Sequence, residues 1–169
     1  MSNSFIESLQ PSSSYIRPEE YDVFITDITE SDLNNDISKQ MNIKYLSEST
    51  KEEIWPLNGI FYGINRRCIV CCSVKRKNMD KAINVFFILD TGSPYTYLTA
   101  NVIDKLGLSY VPKSFPCLIN NKWTDVAISH SNFENVNLLG ANFLDQTKVN
   151  IFYSKDEDNK YEINIKYNF

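Results

Sequence analysis

Histidine occurs once in the 169 residues, as His130 in the polar stretch Ser129-His130-Ser131-Asn132, and no serine or cysteine stands in a nucleophile motif. A Ser/His/Asp or Cys/His hydrolase needs an imidazole beside an activated nucleophile and is therefore disfavoured. Long apolar runs are missing too, since no window approaches the roughly 20 residues of a membrane-spanning helix. The polar start Met1-Ser2-Asn3-Ser4 lacks the basic-then-apolar order of a secretory signal, and Ser2 stands where N-myristoylation requires glycine. Nor is there an excess of positive charge. With 17 Lys and Arg against 21 Asp and Glu, a net charge of −4 and a pI near 5.0, the chain has no electrostatic footprint for nucleic acid. The basic triplet Lys75-Arg76-Lys77 reads as a solvated hairpin turn. These absences predict a cytoplasmic, or nuclear, protein that engages neither membrane nor nucleic acid.

Cysteines are few: Cys68, Cys71, Cys72 and Cys117. Cys68-x-x-Cys71 has metal-ligand spacing, but Ile69, Val70, Ser73 and Val74 around it read as a strand. Strand alternation turns Cys68 and Cys72 to one face and Cys71 to the other. With one histidine and no second Cys-x-x-Cys, reduced core thiols are favoured over zinc, and no metal or other cofactor is expected.

The hydrophobic content of 43% is enough for a real core, and the length suits one domain with an appendage. Residues 1–17 are polar without apolar period and read as a disordered tail. Residues 18–56 read as an N-terminal extension: a short strand over Tyr21–Ile25, then a helix capped by Ser31 whose Leu33, Ile37, Met41 and Tyr45 repeat along one side. That stripe either packs on a neighbouring core or fits a partner's groove; packing is the simpler expectation. Trp55-Pro56 marks a boundary, and the main domain is placed at 57–169.

Val85–Tyr97, VFFILDTGSPYTY, organises that domain. Val85–Leu89 is a continuous apolar run of the kind that forms a strand buried on both faces. It ends in Asp90-Thr91-Gly92-Ser93, where a carboxylate needs hydrogen-bond donors, a shared proton or a function that offsets its desolvation. An Asx-turn that merely caps the strand is the plain alternative. Further on, Asn137-Leu138-Leu139-Gly140-Ala141-Asn142-Phe143-Leu144 sets a second apolar element against a glycine.

Asp-Thr-Gly-Ser after an apolar strand, followed in order by this Leu-Leu-Gly element, resembles the retropepsin-like aspartic peptidases. The resemblance spans residues 57–169. It implies an all-β fold, a closed acid-protease barrel with one or two short helices, to which the partly helical extension is added. It further implies that Asp90 is the catalytic aspartate, that Thr91 braces paired loops through its hydroxyl, and that Gly92 lets them approach. Ser93 then occupies the small-residue position beside the substrate, and the Gly140 element crosses behind the catalytic loop.

The remaining elements fit that plan. Gly59–Ile64 reads as a first strand, Cys68–Val74 and Ala82–Leu89 as a hairpin feeding Asp90, and Tyr95–Leu98 as a short strand. Thr99 caps a helix over Ala100–Leu106 that Gly107 ends. Cys117–Ile119 and Lys122–Ile128 flank Asn120-Asn121 as a tight hairpin. Retropepsins carry two hairpins before the apolar-Gly element, a glycine-rich flap and a second hairpin, yet Gly140 follows Asp90 by only 50 positions and one hairpin is legible. Either this is the second hairpin and the flap is reduced to Ser109–Pro116, or Leu118–Trp123 is a short flap with Trp123 facing substrate. Val149–Tyr153 and Tyr161–Phe169 make a terminal hairpin, and by the resemblance the chain ends help to build a dimer sheet.

One Asp-Thr-Gly supplies half of a catalytic pair, because Asp104, Asp125 and Asp145 lack its setting. The resemblance therefore implies a homodimer hydrolysing a polypeptide substrate through paired Asp90 residues. The alternative is a catalytically weak or inactive retropepsin-fold dimerisation or peptide-binding module, which a reduced or absent flap would favour.

Overall fold

A computed structural model describes residues 23–155 and 161–167. The expected tail, the start of the strand at Tyr21, the hairpin tip 156–160 and the last two residues lie outside the described set.

The apolar run folds as β3 (Ile83–Leu89). It is paired on both edges. On one side lies β2 (Arg67–Lys75), antiparallel with Ile69 opposite Ile88. On the other, the second half of β3 pairs in parallel with β7 (Asn137–Leu139). From β7 the barrel runs through β4 (Thr96–Leu98), β6 (Lys122–Ile128) and β5 (Phe115–Ile119) to β2, and the β2–β3 pairing closes it at six strands. Beyond β2 the sheet extends through β1 (Leu57–Tyr62), β9 (Tyr161–Tyr167) and β8 (Val149–Lys155). The mostly-β closed barrel is thus the architecture the motifs predicted. β9 lies on β1 of its own chain, with Leu57 opposite Ile165; the side chains of the expected apolar face Tyr161 to Phe169 lie outside the described set.

Val85 and Phe87 alternate with Phe86 and Ile88, and all four are buried, so each face of β3 is covered. The N-terminal segment supplies one cover. Tyr45 stacks on Phe86 with ring centroids 5.3 Å apart, and Ile25, Ile28, Leu33 and Ile37 belong to the same continuous core as the barrel. The helical stripe packs on a core, as the simpler expectation had it. Leu46–Ser49 then run beside the first half of β3 where β7 is absent: Leu46 N donates to Asn84 O (2.9 Å), Asn84 N to Ser47 O (2.8 Å) and Ser49 N to Ala82 O (2.8 Å). Buried Asn137 joins the layers. Its amide donates to Tyr45 Oη (2.8 Å) and Phe86 O (2.9 Å), and its carbonyl accepts from Thr99 N (2.8 Å).

Several local expectations are corrected. Val23–Asp27 is a 3-10 helix and not a strand, for the chain must turn at once into α1 and offers no edge to pair with. α1 comprises Glu30–Asp32, a π-type stretch Leu33–Ile37 and Ser38–Met41. Its N-cap is Thr29, two residues before Ser31, because Asp32 completes a reciprocal cap there. The π-type stretch coincides with Ser38 Oγ donating to Leu33 O at 2.7 Å, five residues back. The basic triplet is not simply solvated: Lys75 is half-buried and ion-paired to Glu52, and Arg76 is half-buried with a guanidinium nitrogen 3.3 Å from where a Gly107 side chain would begin. By contrast α2 (Ala100–Lys105) is capped by Thr99 and followed by left-handed Gly107, as its residues predicted.

Two predictions follow from this packing. A chain beginning at Leu57 exposes Phe86 and unpairs half of β3, so its thermal or urea unfolding should lose cooperativity; a sharp transition would show that the barrel folds alone. Thr29 donates through its hydroxyl (2.6 Å) and amide (2.7 Å) to the Asp32 carboxylate, which also accepts from Tyr62 Oη (2.8 Å), and these bonds hold the Asp32 pKa below its ordinary value. Because the folded value is the lower one, this stabilisation is present above the unfolded pKa of about 3.9 and is lost as pH falls through the folded value. Asp32→Asn should therefore flatten the acid limb of the stability curve below about pH 4 and cost about 1 kcal/mol at neutral pH, read by urea titration.

Candidate active site

β3 delivers Asp90 to the end of a strand that packing holds on every side, and the loop Asp90–Tyr95 is then fixed from within. Asp90 N donates to Leu139 O (3.1 Å), continuing the β3–β7 ladder one residue past the strand. Asp90 Oδ1 accepts from Gly92 N (3.0 Å) and Ser93 N (3.2 Å), and the Ser93 hydroxyl donates to Tyr95 O (2.8 Å). The capping Asx-turn is real, yet it engages only one carboxylate oxygen. Among the described residues, Oδ2 has no hydrogen-bond partner.

Gly92 and Gly140 are required for different reasons. A Cβ at Gly92 would press on Asp90 Oδ1 at 3.3 Å. A Cβ at Gly140 would overlap the Tyr95 carbonyl and lie 2.9 Å from Ser93 O. Gly140 thus lets β7 and α3 (Ala141–Thr147) lie directly beneath the loop. Ala141 N donates to Ser93 O (2.8 Å) and Asn142 N to Pro94 O (3.2 Å), so the first turn of α3 caps the loop's carbonyls.

Two further residues lock the loop's exit. Thr96 Oγ1 accepts from Gly140 N (3.1 Å) and donates to Asn142 Oδ1 (2.7 Å), while Asn142 Nδ2 donates to Asp125 O on β6 (2.8 Å). Sequence reading missed both. The available signal was an isolated threonine opening an apolar strand and an asparagine two positions after the glycine.

The remaining expected residues fall as follows. Asp90, Gly92 and Ser93 come together, and Thr91 is exposed at the loop's apex. The Ser93 hydroxyl is engaged within the loop by its bond to Tyr95 O. Trp123 is 48% exposed on β6 opposite Leu118, which in turn faces Lys75 at the end of β2 remote from the Arg67 that enters beside β3's last residues. The hairpin tip is pinned. Asn120 and Asn121 adopt left-handed φ (+46° and +58°), and buried Asn120 bonds Ser73 N (3.0 Å), Ser73 O (2.8 Å) and Ile54 O (2.7 Å). The tip is thereby tied into β2 and the N-terminal segment. The β5–β6 hairpin is thus held at its tip, and no strand lies in the connection from Gly107 to Ser114.

Burial pushes the Cys68, Cys71 and Cys117 thiols up to about 12 and Cys72 well above its ordinary value, which leaves all four as neutral core groups. No group of three or more His, Cys, Asp or Glu able to hold a metal exists among the described residues.

Fold and loop together define a retropepsin-like barrel carrying one Asp-Thr-Gly. No family model matches the chain, and no curated protein does. Among solved structures it is similar to a retropepsin-like aspartic protease from Rickettsia conorii, at 17% identity over 67% of this chain and 96% of that one, with a TM-score of 0.39. It is also similar to the retroviral protease-like domain of Ddi1 from Leishmania major, at 10% identity over 59% of this chain and 92% of that one, with a TM-score of 0.33.

Gly140→Ala should lower stability by about 3 kcal/mol, since the methyl group meets backbone that cannot retreat without moving the loop. Urea titration checks it; a loss under about 1 kcal/mol would mean that β7 does not press on the Ser93–Tyr95 carbonyls.

Proposed function

We propose that the chain is an aspartic endopeptidase that hydrolyses polypeptides as a homodimer, each copy contributing Asp90. The observation that supports this most is the division of labour at the carboxylate: Oδ1 is held by the loop's own N–H groups while Oδ2 has no partner among the described residues, on a loop that β7 and α3 make rigid. A capping aspartate needs no such foundation.

Two Asp90 side chains meeting across a twofold axis would share one proton, because like charges about 3 Å apart cannot both ionise. The unprotonated member takes a proton from a water held between them, and the water oxygen attacks the scissile carbonyl carbon. The protonated member gives its proton to the carbonyl oxygen, and the two exchange roles as the amine leaves. Thr91, exposed at the apex, would meet its counterpart at the junction, and the titration would belong to the pair. The four neutral thiols suit a reducing compartment, the cytoplasm or nucleus.

A second reading, a peptide-binding or dimerisation module that keeps the fold without the chemistry, is favoured by the short Gly107–Ser114 connection. Without a lid, water is excluded poorly from the site.

Asp90→Asn removes the ionisable oxygen at nearly constant volume, so peptide cleavage should fall by at least about a thousandfold while the molar mass and circular dichroism stay those of the wild type. Cleavage of a mixed peptide library across pH, with light scattering on the same samples, is the test. Wild-type-like cleavage by the variant would sink the assignment, and a dimer inert in both forms would favour the module.

A further inference from the structure

Asp90 stands at one end of β3. At the other end, where the strand begins, a cleft of about 560 Å³ opens between three segments: the strap 44–48, the turn that joins β2 to β3, and the end of α2. Each segment contributes one lysine to the lining, Lys44, Lys81 and Lys105, and all three are exposed. The one acidic residue in the lining, Glu48, is already ion-paired with Lys81 at 2.5 Å. Among the described residues, neither the Lys44 nor the Lys105 side chain has a hydrogen-bond or ion-pair partner. In a chain of net charge −4, lysines gathered in this way leave the cleft locally positive.

The backbone beneath these lysines is tied down. Ser47 donates to Lys44 O through both its amide (3.2 Å) and its hydroxyl (2.7 Å), and Asn84 Nδ2 donates to Ser47 Oγ (3.0 Å). Leu46 holds a left-handed φ of +58° with its N–H on Asn84 O (2.9 Å), and Met79 N donates to Arg76 O (3.1 Å) across the β2–β3 turn. The spacing of the three positions is therefore set before a partner arrives, which lowers the ordering cost of binding. Leu46 and Met79 lie half-buried in the same lining, whereas Tyr45 is 3% exposed with its ring stacked on Phe86. The lining thus offers no arginine fork for a phosphate and no open aromatic face for a base, which disfavours nucleic acid. Separate ammonium groups with apolar ground among them match a run of carboxylates interspersed with apolar side chains.

We propose that this cleft docks an acidic segment of a polypeptide, with Lys44 and Lys105 meeting its carboxylates and Leu46 and Met79 its apolar side chains. The inference rests on the peptidase reading and names a substrate class for it: the docked segment belongs to the chain that Asp90 cleaves. Ile83 lines the cleft and Asp90 follows it by seven residues. At about 3.3 Å per residue of strand the two places are about 23 Å apart. A substrate therefore carries its acidic run about seven or more residues from the scissile bond.

The test is fluorescence anisotropy on the full-length protein with a labelled peptide of Glu-Glu-Leu repeats, compared with the same peptide carrying Gln for Glu. The wild type should bind the acidic peptide at least about tenfold more tightly, and the advantage should shrink between about 0.1 M and about 1 M salt. Lys44→Glu combined with Lys105→Glu should raise the Kd of the acidic peptide at least about tenfold with an unchanged circular dichroism spectrum. Equal binding by variant and wild type overturns the proposal, and so does equal binding of the two peptides. Tighter binding of an oligothymidylate of the same charge would make the cleft a nucleic-acid site, and displacement by equimolar inorganic phosphate would make it a small-anion site; either result overturns the proposal. In cleavage, joining the acidic repeats to a cleaved peptide through a Gly-Ser spacer of about ten residues should lower KM at least about threefold in the wild type and not in the double variant. Charge-selective binding by a wild type that cleaves nothing keeps the docking site and fells the peptidase reading. Cleavage without any acidic preference keeps the peptidase and overturns the docking site. Should the double reversal lose its folded spectrum, Lys44→Gln with Lys105→Gln decides the point by a rise of at least about threefold in the same Kd.

Discussion

The structure depends on one constraint: β3 must be enclosed on both faces and both edges up to the residue where its carboxylate emerges. A free face would leave Phe86 in water, and a free edge would leave backbone groups unpaired. β2 and β7 meet part of this demand and the inner barrel meets another. The rest falls to the N-terminal segment, whose Tyr45 covers Phe86 and whose Leu46–Ser49 pair with the half of β3 that β7 does not reach. Rigidity at Asp90 is therefore not a local property of a tight turn. It is inherited from a strand that cannot move without opening the core.

The loop extends the same logic. The N–H groups of Gly92 and Ser93 face inward to the Asp90 carboxylate, and the carbonyls of Ser93 and Pro94 face down to Ala141 and Asn142. Gly140 is the point at which the two layers come closest, and Thr96 and Asn142 fasten what the glycine allows to approach. A carboxylate mounted in this way keeps one oxygen at a fixed position whatever happens at the other, which is the pre-organisation that acid–base chemistry exploits.

Where local chemistry decided the outcome, the sequence was legible. Val85–Leu89 could only be an enclosed strand, Thr99 and Gly107 bracket α2, and Asn120-Asn121 supply the two left-handed residues of a tight hairpin. The order of Asp90 and Gly140 pointed to the barrel because the two motifs are halves of one packing contact. What stayed hidden was set by distant partners. Whether Thr29 or Ser31 capped α1 depended on the geometry of a reciprocal bond, and the fate of Lys75 and Arg76 depended on Glu52 and Gly107, neither of which is near in sequence. What holds the tip of the single hairpin was likewise hidden, since Ser73 and Ile54, which bond Asn120, lie far from it in sequence.

The bond between Tyr45 and Asn137 joins residues 92 positions apart, and it sets an order of events during synthesis. The N-terminal segment leaves the ribosome first, yet the strand it covers and the asparagine that ties it down come later. At about 5–20 residues per second, its apolar stripe waits on the order of 5–20 s for that partner. The same long-range closure that makes the barrel firm once formed slows its formation and prolongs the interval in which Leu33 and Ile37 lie open to other chains. A protein built this way places its greatest exposure to aggregation before folding is complete and little of it afterwards.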